Sequence, residues 1–522
     1  MISIFSYSVA TNYSVKRILI VYFLFFSIFS IHSQNKVKPI DVKSEKYIKV
    51  NHANRLLFDK ESGIEAQRLI GSVECEHDGS KMYCDSAYLY NNKKLEAFGH
   101  ILITKGDSIF VYGDSLKYDA TTKLANLKGH VRCIEKDMTL TTRILVYDLS
   151  TSIASYYNGG TIVNKDNTLI SKNGHYYSAS KELSFHYDVA LTNSNIKMKS
   201  DTLRYNTLSK IAYFFGPTII TSKENYIYCE NGWYDTGKEV ARFSKHAMIN
   251  TKSQKLFGDS LFYNRKTGYG RAMRHVKIID TSNTSVIMGD FAEHYELTKK
   301  SIVSGHAVYS KKIEKDTLFL SADTLFYNKT DSLHANLKAY QHVKIFKSDL
   351  QGICDSLNYS MHDSVLMLYN SPVLWASHSQ ITAKQINVII SEFGLKSFQL
   401  NANALVIQQS DSLDEQKFNQ VSGKNMEGFF ERDTIRKINI KGNAEIIYYV
   451  KQKNSYTGVN KTLCQSITMW FDGNGLSKMS FKNKPESVVY PLNEVVDEDM
   501  RLKNFLWLEH KRPKNKMEIF NK

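Results

Sequence analysis

The sequence predicts an all-β protein. Three observations carry that prediction: scarce proline, abundant strand-forming residues, and a strand–turn–strand unit used many times. Only 6 prolines occur in 522 residues, and between Pro39 and Pro485 only Pro217 and Pro372 interrupt the chain. Proline cannot donate to a ladder, so so little of it is compatible with long uninterrupted sheet. The chain also holds 32 Tyr and 27 Phe, and its 42% apolar content is enough to offset ordering entropy, so bulk disorder is excluded. Collagen, coiled coil and Pro-rich linker are excluded too, and the length suggests two to four domains.

At the amino terminus, Lys16-Arg17 precede an apolar run, Ile18 to Ile31, followed by His32-Ser33. A basic flank, an apolar stretch too short for a comfortable span and a small residue at its end read as an export signal over 1–33. An uncleaved anchor is the alternative. No comparable apolar run follows, so the rest of the chain is expected outside the bilayer.

The repeat comes next. Gly113-Asp114-Ser115-Leu116-Lys117-Tyr118-Asp119 recurs as Ser200 to Asn206, Gly258 to Asn264, Ala322 to Asn328 and Cys354 to Ser360. Weaker copies lie at Cys84 to Ala87, Ile144 to Asp148, Cys229 to Asp235 and Gly289-Asp290. Asp85 and Asp114 stand 29 positions apart, Asp323 and Asp355 stand 32 apart, and internal periods of this size mark repeat architectures. Each copy is followed by a turn and a second run, such as Ala125 to Cys133. There Ala125, Leu127, Val131 and Cys133 share one parity and Asn126, Lys128, His130 and Arg132 the other. That is the alternation of a strand with one wet face. Strands joined this closely either pair antiparallel or coil as a solenoid. A slower repeat relates Phe215-Gly216-Pro217 to Asn370-Ser371-Pro372, with Asn483-Lys484-Pro485 as a third candidate.

The alternation turns Leu116, Tyr118, Leu127, Leu203, Tyr205, Leu261, Tyr263, Leu325, Tyr327, Leu357 and Tyr359 to one buried face. From the residues alone, that face either fills a solid core or lines a groove. The repeat Asp residues, Asp114, Asp201, Asp259 and Asp323, are expected to cap turns rather than bind calcium, because calcium-binding repeats are shorter and glycine-rich.

Gly/Ser-Asp-Ser/Thr-Leu-x-Tyr, a turn, then Ala-x-Leu-x-Gly-x-Val resembles the OstA-like/LptA-type domain of lipopolysaccharide export. Gly113 to Val131 is the best match, and Phe418 to Met426, Gly458 to Lys461 and Tyr490 to Leu492 resemble the tail of larger OstA-like proteins. The resemblance covers roughly residues 45 to 510. It implies an elongated antiparallel β-jellyroll, with repeats over 40–220 and again over 221–390, a carboxy-terminal OstA-like β region over 391–500 and a basic tail over 501–522. It also implies a periplasmic protein whose apolar groove, lined by the residues above, shields lipid A acyl chains. Lipopolysaccharide or another anionic glycolipid, other jellyroll transport proteins docked at the terminal sheet edges, and an outer-membrane assembly component are the implied partners. A secreted β-solenoid adhesin or polysaccharide-binding surface protein is the alternative.

The formal net charge of +16, falling to +14 once Lys16 and Arg17 are removed, suits an anionic partner, but the cations are dispersed and export disfavours nucleic acid. The one basic cluster, His510 to Lys516, reads as a solvated terminus. No catalytic motif emerges, no enzyme activity is expected, and no cofactor or metal site is implied. The 16 His are scattered without ligand spacing, and the six cysteines are too sparse for a disulfide scaffold. Cys75 and Cys84 flank the turn Asp78-Gly79-Ser80 and are candidates for a hairpin disulfide.

Overall fold

The computed structural model describes residues 47–520 apart from 59–64, 165–166, 224, 252–253, 281–283, 314–315, 330–334, 392–393, 412–413, 432–433, 453–454, 473–474 and 497–498. The export signal therefore lies outside the described residues. Those described form 34 strands, with helical turns only at Leu492–Glu494, Glu509–Lys511 and Met517–Phe520. They divide into two compact units: residues up to 251 with Ser260–Lys266, and residues 254–259 with those from Thr267 onward.

In the amino-terminal unit, Gln67–His77, Ser80–Tyr90, Lys94–Lys105, Ile109–Asp119, Leu124–Glu135 and Met138–Asp148 each pair antiparallel with the next. Two interrupted strands follow, Ile153–Tyr156 with Gly160–Asn164 and Asn167–Ser171 with Asn173–Tyr177, and the meander resumes from Glu182–Thr192 to Val240–Asn250. The carboxy-terminal unit repeats the scheme from Tyr269–Asp280 onward, reaches its longest strands at Gly394–Asp411 to Ser455–Asp472 and closes with Gly475–Lys482 and Glu486–Pro491. Every strand pairing among the described residues is antiparallel, a meander and not the parallel coiling of a solenoid.

What bends each ladder into a jellyroll is a slip in register near the middle of the strands, as between Phe98 and Ile101 or Lys128 and Val131. On alternate strands two successive residues there adopt left-handed backbone: Gly99-His100, Gly129-His130, Lys245-His246, Arg274-His275, Gly305-His306 and Gln341-His342. An inserted bulge kinks its strand and sharpens the twist. Both halves of a strand then face one interior, so that Leu95 and Ile103 of Lys94–Lys105 line the same cavity.

The rare prolines occupy these corners. Pro217 follows Gly216 (φ 77°) inside the slip between Phe215 and Thr218. Pro372 and Pro485 follow the left-handed pairs Asn370-Ser371 and Asn483-Lys484, each between the two halves of an interrupted strand. A missing N–H costs nothing where the ladder is already broken.

The repeat Asp residues do not cap turns. They stand at the corner of their own strand, where the next strand's corner histidine meets them: His130 Nδ1 lies 2.7 Å from Asp114, His275 3.1 Å from Asp259 and His342 2.7 Å from Asp323. His100 with Asp85, His246 with Glu230 and His306 with Asp290 repeat the pair. Asp201 faces Gly216-Pro217, which supplies no imidazole; Thr202 Oγ1 donates to it at 3.1 Å instead. Turn capping falls to the residue ending the repeat: Asp119, Asp148, Asn206, Asp235 and Asn264 accept from backbone N–H groups two residues on, at 2.8–3.0 Å. The hydrogen bond that the His100 ring donates to Asp85 raises the His100 pKa. The stabilisation from that pair is thus complete below the ordinary imidazole range and fades as the pH rises through the raised value.

Gly129 (φ 75°) shows what the corner demands, since a Cβ there would fall 2.3 Å from Asp114 Oδ2. Gly129→Ala is therefore expected to break the Asp114–His130 pair and to destabilise the amino-terminal unit by about 1–3 kcal/mol. A fall in its thermal unfolding midpoint, absent from His130→Ala, checks that backbone strain is the larger cause.

Candidate functional site

The interior of the amino-terminal unit holds a cavity of about 180 Å³. Its walls are mainly apolar, with Leu95, Leu116, Leu127, Leu140, Leu145 and Phe185 among them. Polar lining comes from the strand ends that hold Glu76, His77, Ser80 and Lys105, and from His175 in the middle of Asn173–Tyr177. The Tyr156 ring sits against Gly160 and Gly174, where a Cβ would come within 2.4 Å of it, and its hydroxyl meets Ser171 Oγ at 2.6 Å.

Burial in this interior governs how its thiols and phenols ionise. Burial pushes the Cys75 and Cys133 thiols and the Tyr118 and Tyr156 phenols up to about 12. The Tyr118 hydroxyl and His77 Nδ1 share a hydrogen bond of 2.8 Å, so the phenol's polar tip is satisfied while its ring faces the cavity. A thiol held neutral is neither a nucleophile nor a metal ligand at ordinary pH. Among the described residues no three His, Cys, Asp or Glu side chains are grouped to hold a metal ion. The six cysteines are free, and Cys75 and Cys84 are not cross-strand partners: Cys75 stands opposite Met82 and Cys84 opposite Val73.

Of the residues expected to line a groove, Leu116, Tyr118 and Leu127 lie on this cavity. Leu203, Tyr205 and Leu261 are buried elsewhere in the same unit, and Tyr263 is half-buried. Leu325, Tyr327, Leu357 and Tyr359 are buried in the carboxy-terminal unit, where Leu325 and Leu357 are 1% and 2% exposed. Most of the cavity wall, including Leu140, Tyr156, Ile162, Tyr176 and Phe185, lies in strands that carry weak copies of the repeat or none. Only the weak copy Ile144 to Asp148 offered a signal there.

The carboxy-terminal unit has a different interior. Leu405, Ile407, Phe418, Ile447, Tyr449 and Val459 enclose Leu502, with Met500, Phe505 and Trp507 packed against them. Phe418 meets Phe505 and Trp507 at ring-centre distances of 5.2 and 5.1 Å, and Phe319 meets Phe520 at 5.8 Å. The terminal segment is thus not a solvated tail: Leu502, Pro513 and Ile519 are buried and Phe505 and Trp507 half-buried, while Lys503, Leu506, His510, Lys511, Lys514, Lys516 and Met517 are exposed. The basic cluster that suggested a solvated terminus belongs to a docked strap, with Arg512 half-buried and Pro513 buried within it.

Residues 45–201 match the family model described as OstA-like protein. Among solved structures the chain is similar to LptH of Pseudomonas aeruginosa, described as the LptA homologous periplasmic component of the conserved lipopolysaccharide transport device. The similarity is 15% identity over 20% of this chain and 79% of that one, with a TM-score of 0.19. No curated protein matches. No helix among the described residues is long and apolar enough to cross a membrane.

Proposed function

Residues 45–201 are OstA-like, and from that premise we propose that this protein is a periplasmic carrier of lipopolysaccharide or a related anionic glycolipid. In this reading it shields lipid A acyl chains in the amino-terminal jellyroll and passes them toward the outer membrane. One observation carries it: the apolar cavity is lined by residues from Ile48 to Phe185, within the OstA-like stretch itself. It is larger than the roughly 150 Å³ apolar cavities that stay dry and accept a benzene-sized guest. Shielding is passive, since each Å² of acyl surface removed from water contributes about 25 cal/mol and no chemistry is required of the protein. The terminal strands support docking to other jellyroll carriers, because Arg55–Phe58 exposes Leu56, Leu57 and Phe58 and Glu486–Pro491 exposes Val488 and Val489.

The test is photocrosslinking with radiolabelled lipopolysaccharide. A photoreactive residue at Leu127 is expected to capture lipid, and one at Lys117, exposed and 2.8 Å from Glu96, to capture none. Equal labelling at the two positions, or none at Leu127, would sink the reading.

A further inference from the structure

Three glutamines in the interior of the carboxy-terminal unit do what a lipid-binding wall has no use for. Gln351, Gln380 and Gln420 are 4%, 0% and 2% exposed. They belong to one cross-strand row, in which Gln351 stands opposite Trp375, Trp375 opposite Gln380, Gln380 opposite Ile407, and Ile407 opposite Gln420. Gln420 Nε2 donates to the Met500 carbonyl and its Oε1 accepts from the Leu502 N–H, both at 2.8 Å. Gln380 grips the next stretch identically, to the Leu506 carbonyl and the Leu508 N–H, both at 2.6 Å. Gln351 Oε1 accepts from Arg512 Nε at 2.8 Å, and Lys344 Nζ donates to the Glu518 carbonyl at 3.3 Å.

In an extended chain the C=O of one residue and the N–H two residues on point the same way. A carboxamide carries one acceptor and one donor side, so Gln380 and Gln420 each meet that pair as a neighbouring strand would. An alkyl chain would take both partners from the buried Gln380 amide and the donors that the Gln351 and Gln420 oxygens accept from. We propose that the interior of the carboxy-terminal unit is a binding groove for polypeptide backbone, occupied by the chain's own residues 500–520, and that this occupancy closes it to acyl chains. The grip on the backbone stands by itself; the exclusion of acyl chains rests on the lipid-carrier reading above.

Two measurements test it separately. A photoreactive phenylalanine analogue at Phe418 of the full chain should crosslink to the protein's own peptide holding Phe505 and Trp507, identified by mass spectrometry. Gln380→Ala with Gln420→Ala should cut that yield at least threefold with the circular dichroism spectrum unchanged. No intramolecular adduct, or a yield indifferent to both glutamines, overturns the peptide groove. With radiolabelled lipopolysaccharide micelles, the position 418 probe should stay unlabelled in the full chain and gain at least tenfold when a stop codon replaces Met500. A synthetic peptide of residues 500–520 should reverse the gain. Labelling already present in the full chain, or no gain on truncation while a probe at Tyr118 still labels, overturns the closure. Failure of the Tyr118 probe in both chains removes the lipid-carrier reading and leaves the peptide groove to the first measurement. If truncation prevents folding, the double glutamine variant of the full chain takes its place, with the same gain expected and its absence overturning the closure.

Discussion

Trp375→Ala is expected to lower the stability of the carboxy-terminal unit by about 3–5 kcal/mol, the largest effect of any single substitution considered. Trp375 is 0% exposed on the short strand Val373–Ala376, with Gln351 and Gln380 as its register partners on either side. Truncation would therefore open a void beside two of the amides that grip the terminal segment, and the loss should spread to residues 506–512. Trp375→Phe should cost far less. It keeps most of the ring volume and removes an indole N–H that finds no acceptor among the described residues, so a desolvation penalty disappears with it. A chain of two compact units need not unfold in one step. The suitable measurement is hydrogen exchange across Leu350–Ser360 and Ser379–Thr382, where Ala should lose protection and Phe largely keep it. Equal losses in both variants would mean that the indole N–H is satisfied after all.

Period-two alternation was enough to place Leu116, Leu203, Leu261, Leu325 and Leu357 on a buried face, because burial of one face of a strand is written directly into residue parity. Proline placement was legible for a similar reason: a residue without an N–H sits where the ladder breaks, and Pro217, Pro372 and Pro485 mark corners. The role of the repeat Asp was not. Asp114 and Asp119 both belong to the motif, and either could cap a turn by local hydrogen bonding. Which one does depends on where the strand bends, and that depends on a left-handed pair on the neighbouring strand. The histidines looked scattered because their partners are about 15 to 19 positions away, across a strand pair rather than along one. The terminal strap was hidden by the same logic. Gln351, Gln380 and Gln420 are polar residues in strands, and sequence alone gives such residues an outward face. Only the filled interior shows that they turn inward to a backbone lying more than 80 residues away in sequence for Gln420 and more than 120 for Gln380.

Acid should destabilise the carboxy-terminal unit well before its carboxylates titrate. His294, on the strand Ser285–Tyr295, is 5% exposed, and burial pulls its pKa down to about 4. Its Nδ1 meets Ser301 Oγ at 2.9 Å across the strand pair, a contact that serves the neutral ring. In the unfolded chain an imidazole titrates near 6.5. Between those two values the unfolded state binds a proton that the folded state resists, so the stabilisation is complete above about pH 6.5 and is lost as the pH falls toward 4. The full loss is about 3 kcal/mol, larger than an exposed ion pair offers. His294→Gln, which keeps a polar side chain but cannot charge, should flatten this slope. The check is the denaturation midpoint of both proteins at intervals from pH 7.5 to 4, read by hydrogen exchange or proteolysis within Ser285–Tyr295. Parallel curves for the two proteins would show that His294 charges as easily folded as unfolded. The corner pair His100–Asp85 acts in the opposite sense, losing stabilisation as the pH rises, but it is exposed to solvent and screened. It also belongs to the amino-terminal unit, so an acid-induced loss confined to Ser285–Tyr295 and its neighbours assigns the effect to the buried ring.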